Sequence, residues 1–141
     1  MTTVHDALAI GLDLVLVPTG DGGRQTSLRS ATDQLWSYRP NWQLPSMLQS
    51  EQTGAPVWRF SVPVLAPGER ARAVIVPLFP DVLPRWRAEI VPGVRLPMFE
   101  GPRDCGHGTV RWMVETCVPL GEQDQGRFER WLLDPAAVPS G

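Results

Sequence analysis

Prolines interrupt this chain so often that long helices are excluded from most of it. There are 15 of them, with 13 glycines, spread through 141 residues. Each proline fixes φ and removes a backbone donor, so the pieces between them must be short and joined by turns. What those pieces contain then decides the fold class.

They read as strands. Residues 12–18, LDLVLVP, form a short apolar run closed by proline and glycine, as a buried strand would. In 37–44, Tyr38, Trp42 and Leu44 share one parity and Arg39, Asn41 and Gln43 the other, with Pro40 pushing the strand to an edge or bulge. In 55–62, Trp58, Phe60 and Val62 oppose Val57, Arg59 and Ser61. A turn at Ala66-Pro67-Gly68-Glu69 opens a strand that runs to about Leu78. Strands at 94–99 and 107–116 follow, joined by a hairpin at 101–106; in the second, Val110, Trp112 and Val114 share a face. Six strands with no helix between them predict an all-β, antiparallel barrel or sandwich. Closure would remove edges that strands this apolar leave sticky. The tail differs: Phe128, Trp131 and Leu132 make one stripe of a short helix that Asp134-Pro135 ends. That stripe either packs on its own barrel or docks a partner.

The chemistry is sparse. Net charge is −2, so nothing draws the chain generally to nucleic acid or to an anionic membrane, although all 13 basic residues are arginine. Cys105 and Cys117 make no C-x-x-C, and with only His5 and His107 beside them no zinc set emerges. Two reduced thiols are expected, with a disulfide between them left open. No apolar run approaches the length of about 18 residues that spans a bilayer, and no leader is evident. A soluble cytoplasmic protein is the expectation.

The loop TGDGGRQTS, 19–27, looks ready to hold a phosphate. A P-loop needs G-x-x-x-x-G-K-[ST]; here lysine is missing and the spacing fails, so a turn is expected. Cys105 and His107 could share a strand face, but no third group orients the imidazole. Glu100 and Asp104 could pair, yet surface hairpins collect acids. No enzyme, metal or cofactor is expected.

The order of the motifs resembles the third domain of bacterial elongation factor Tu. Gly23-Arg24-x-Thr26, Tyr38-Arg39-Pro40, the Pro67-Gly68 turn, Glu100-Gly101-x-Arg103 and Gly106-x-Gly108 follow one another as they do in that family, over about 12–116. The resemblance implies a six-stranded antiparallel closed β-barrel spanning 12–118, between an N-terminal extension at 1–11 and a short helix and tail at 119–141. It also implies RNA-facing positions: Arg24, Gln25, Thr26, Arg39, Asn41, Glu100 and Gly101, with Arg103 beside them, suited to a tRNA stem or other RNA. Gln25 stands where the family has histidine, Pro102 replaces a glycine, and the GTPase domain and second barrel that accompany the domain there are not in this sequence. GTP is therefore not expected. A stand-alone binding module is, most readily for a protein partner or another copy of itself. The residues expected to carry that contact are Trp36, Arg85, Trp86, Arg87 and Trp131, because Trp and Arg dominate binding hot spots.

Overall fold

A computed structural model describes residues 3–30 and 38–140. The chain runs through β1 (His5–Leu16), β2 (Leu28–Arg29), β3 (Asn41–Trp42), β4 (Thr53–Gly54), β5 (Val57–Phe60), β6 (Val64–Leu65) and β7 (Arg70–Ile75). It continues through helix α1 (Leu83–Glu89), β8 (Arg95–Glu100), β9 (Arg103–Val118) and helix α2 (Glu122–Leu133). Seven strands pair antiparallel in the order β4-β3-β8-β9-β1-β7-β5, and β2 pairs with β6 separately. The expected antiparallel β class holds. The ladders end at β4 and β5 and do not close into a ring; one isolated bridge, Tyr38 to Val57, lies outside them.

Two expectations need correction. The first strand begins at His5, not near Leu12, so most of the supposed N-terminal extension lies in the middle of the sheet. Its even residues Leu8, Ile10, Leu12, Leu14 and Leu16 fill one core, while Ala7 and Ala9 fill another on the opposite face. A strand buried on both faces shows no alternation and so is hard to recognise. The second correction is α1, which interrupts the strands. Pro84 sits in its first turn, where a missing N–H costs nothing, and Leu83 and Trp86 face the first core.

The second core is built between the sheet and α2. Phe128, Trp131 and Leu132 are buried there with Trp58, Val74, Trp112 and Val114. Trp112 stacks on Phe128 (5.4 Å between ring centroids, 24°) and meets Trp131 edge-on at 5.3 Å. Gly11 makes this possible: a Cβ there would come within 2.2 Å of Trp112 Cε2 and Nε1. Arg59 bonds Glu129 of α2, and Arg72 donates to the Leu132 carbonyl, so the sheet also grips the helix through its polar rim. Of the two expected roles for the tail helix, the structure displays packing on its own sheet. Neither helix is long and apolar enough to cross a membrane.

Candidate functional site

The glycine loop is a turn that consumes its own donors. Thr19–Asp21 forms one turn of 3₁₀ helix, and Gly22 follows at φ 93°, a left-handed conformation that favours glycine. At Gly23 a Cβ would sit 2.0 Å from the Val17 carbonyl oxygen. The N–H groups of Asp21 and Gly23 donate to Pro18 O and that of Gly22 to Thr19 O, at 3.0–3.1 Å. A phosphate cradle needs such N–H groups free; here backbone carbonyls hold them.

What the turn delivers is Arg24. Its Nε donates to Thr26 O and its Nη2 to Thr26 Oγ1, both at 3.2 Å, and its Nη1 bonds Glu100 Oε2. The Tyr38 hydroxyl donates to the same Glu100 oxygen at 2.7 Å, and the Arg24 guanidinium lies 5.3 Å from the Tyr38 ring centroid. Cys105 closes the cluster from beneath: its Sγ is 3.7 Å from the Tyr38 hydroxyl and donates to Met98 O. Gly101, at φ 60°, makes the hairpin that turns β8 into β9, and Arg103 stands opposite Glu100 in the ladder. The glycine turn, the Tyr-Arg-Pro segment that leads into β3, and the hairpin thus meet at one end of the sheet.

The charges there are locked to one another. Burial alone would raise the Glu100 carboxyl, but hydrogen bonds from Tyr38 and Arg24 outweigh it and hold the pKa below the ordinary carboxylate value. Burial likewise works against the Arg24 guanidinium, and Glu100 reverses it, so Arg24 titrates higher than usual. The Tyr38 hydroxyl is raised, first by burial and then by its bond to Glu100. Burial pushes the Cys105 thiol up to about 11, which leaves it protonated and poorly nucleophilic.

The remaining expected residues divide clearly. Gln25 and Arg103 are exposed at the cluster, Arg39 is exposed beside Tyr38, and Asn41 is half-buried in β3. Trp36 lies outside the described residues. Trp86 and Trp131 were expected at a partner surface, but both are buried, Trp86 under α1 and Trp131 under α2. Arg85 is bound to Ser46, Glu51 and Glu89, and Arg87 makes a bidentate pair with Glu115. Trp86 and Trp131 are therefore core residues, and Arg85 and Arg87 have intramolecular partners. Tyr38 and Cys105 complete the cluster although sequence reading gave neither a site role; only contacts across sixty or more positions reveal them.

Cys105 and His107 do not face each other. An irregularity in the β8–β9 ladder between Met98 and Phe99 puts Cys105 in the inner core, while His107 lies on the outer face beside Arg95. Cys105 and Cys117 are both free thiols. Asp104 accepts from the Gly106 N–H rather than pairing with Glu100. Among the described residues no group of three or more His, Cys, Asp or Glu could hold a metal ion. No protein-family model matches the chain, and no curated protein matches it.

Proposed function

We propose that this chain is a non-catalytic binding module of the kind its resemblance to the third domain of elongation factor Tu implies. The observation that carries the reading is the meeting of Arg24, Tyr38, Glu100 and Cys105. Three of the pieces on which the resemblance rests, those of Arg24, Tyr38 and Glu100, supply one hydrogen-bonded cluster, and Cys105 joins it from between the last of these and Gly106-x-Gly108.

The barrel belongs to the same proposal. The two ends of the sheet order, β4 and β5, are successive parts of one stretch, 53–60. Tyr38 bridges Val57, whose N–H donates to Tyr38 O, and the Ala55 N–H donates to Pro40 O. The stretch 38–42 therefore touches 53–60 on one side while β3 pairs with β8 on the other, which supports a sheet curled into a six-stranded cylinder.

The proposed recognition surface is the rim around the cluster, with Gln25, Arg39, Arg103 and Asp104 outermost, and its partner is a protein. Locked Arg24–Glu100 charges give a mixed, pre-organised polar surface rather than a cationic one, which suits a protein better than a phosphate backbone. The same mixed surface could accommodate a second copy of the chain. The test is affinity capture from cytoplasmic extract with wild type and a Gln25→Ala/Arg103→Glu variant, followed by reconstitution with the purified partner. A partner bound by wild type and lost by the variant supports the reading; equal binding by both sinks it. RNA is the second reading, favoured by the exposed Arg103 beside the hairpin. Filter binding against salt separates them, because phosphate contacts give a steep loss of affinity as salt rises. Absence of RNA affinity at low salt removes that alternative.

A further inference from the structure

Four arginines that belong to no motif share one outward face of the sheet, and the strand register puts them there. Between residues 12 and 16 the even positions of β1 point into the inner core, so Asp13 and Val15 point outward. Their ladder partners share that face: Arg72 and Arg70 on β7, Thr109 and His107 on β9. One strand further, Arg95 and Pro97 of β8 stand opposite Thr109 and His107. Arg111 lies at the irregularity in the β1–β9 ladder, with its Nε 3.4 Å from Asp13 Oδ2.

The positive charge of this strip is largely uncompensated. Arg70 is exposed and makes no side-chain hydrogen bond or ion pair among the described residues. Arg95 Nη2 lies 3.2 Å from His107 Nδ1, and since guanidinium only donates, the ring accepts there and is neutral. Burial, then Arg95 and Arg70, hold the His107 pKa below its ordinary value against an opposing pull from Asp104. Arg72 spends Nη2 on the Leu132 carbonyl, while its Nε is buried without an acceptor. A cleft of about 380 Å³ opens between Asp13, Ser61, Arg70 and Arg72. The strip is thus opposite in sign to a molecule whose net charge is −2.

We propose that this face docks an acidic, extended segment of a protein partner, its carboxylates pairing with Arg70, Arg95 and Arg111 and one acidic side chain entering the cleft beside Arg72. Guanidinium forks match carboxylates in bidentate geometry. Nucleic acid fits less well. The net charge gives no long-range attraction to a polyanion, and the only aromatic ring among these outward neighbours, His107, is engaged by Arg95. The inference rests on register and charge alone and stands whether or not the Arg24–Glu100 rim binds anything.

The test is fluorescence anisotropy at low salt with the full chain and a labelled octapeptide alternating glutamate and serine, against the same peptide with glutamine for glutamate. The glutamate peptide should bind at least about ten times more tightly, and Arg70→Glu/Arg95→Glu should weaken it about ten-fold or more. A charge-matched variant off the face, Arg29→Glu/Arg130→Glu, should change binding by less than about three-fold. Should the reversed pair fail to fold by circular dichroism, Arg70→Gln/Arg95→Gln replaces it, with a loss of about three-fold or more expected. Equal loss in the face and off-face variants, no binding of the glutamate peptide, or tighter binding of a twelve-nucleotide oligothymidylate would each overturn the proposal.

Discussion

Replacing Gly11 by alanine puts the packing of α2 to a direct test, because the outcome should change sign with the background. The added Cβ would lie 2.2 Å from two atoms of the Trp112 indole, whereas carbon contacts settle at about 3.5–4.0 Å. The indole cannot slide away, since Phe128 stacks on it and Trp131 meets it edge-on. It can move only by pushing α2 off the sheet. Overpacking of this kind costs about 1–3 kcal/mol. Against it, loss of backbone freedom in the unfolded chain returns about 0.4–1 kcal/mol. Gly11→Ala should therefore destabilise the wild type by about 1–2 kcal/mol. In a Trp112→Leu background the clash disappears and only the entropic gain is left, so the same change should stabilise by up to about 1 kcal/mol. Urea unfolding followed by far-ultraviolet circular dichroism measures all four corners of the cycle. An effect of the same sign and size in both backgrounds would refute the proposed fit of glycine against tryptophan.

Three further outcomes follow from other parts of the molecule. Phe128→Ala should cost about 3–5 kcal/mol and abolish the near-ultraviolet dichroism of the stacked indoles, because it empties the centre of the second core; a loss below about 1 kcal/mol would mean that α2 is not held as described. Glu100 has a folded pKa below its ordinary value of 4.5, so its contribution is full above that pH and fades as pH falls through the folded value. Glu100→Gln should accordingly destabilise at pH 7 and much less at pH 3, and an equal penalty at both in urea unfolding would count against the Arg24–Tyr38 network. Iodoacetamide at pH 8 should add one group to the native protein, at exposed Cys117, and two after unfolding, because Cys105 is fully buried with its thiol near 11. Two native adducts formed at similar rates, seen by mass spectrometry, would contradict that.

How legible these features were in the sequence follows how local their causes are. The tail helix was readable because Phe128, Trp131 and Leu132 repeat within two turns. β9 was readable as a strand, but its Val110, Trp112 and Val114 do not share the expected face, because the irregularity at Arg111 turns Val110 to the first core and the other two to the second. Helix α1 carried the same kind of signal in Leu83, Trp86 and Ile90, but the prolines around it argued for strand and loop. β1 was truncated because burial on both faces removes the period of two. The site depended on longer range. Arg24, Tyr38 and Glu100 were each visible as motif pieces, yet nothing local says that one carboxylate oxygen accepts from both of the others. Trp86 and Trp131 were misplaced for a related reason: their residue type, common at binding hot spots, suggested a contact surface, while both rings lie in the cores. The arginine strip on β7, β8 and β9 was invisible, since each residue occupies an ordinary outward position and only register gathers them.

The place of β1 also governs how the molecule must be born. Its neighbours in the sheet are β7 and β9, and Leu8 sits opposite Glu115, so both of its partners are made after it, the later of them only at Arg103–Val118. Until β9 emerges, β1 has only β7 beside it and one of its edges stays unpaired, and pairing so distant along the chain is slow to find. A nascent chain stalled before β9 should be a client for chaperones.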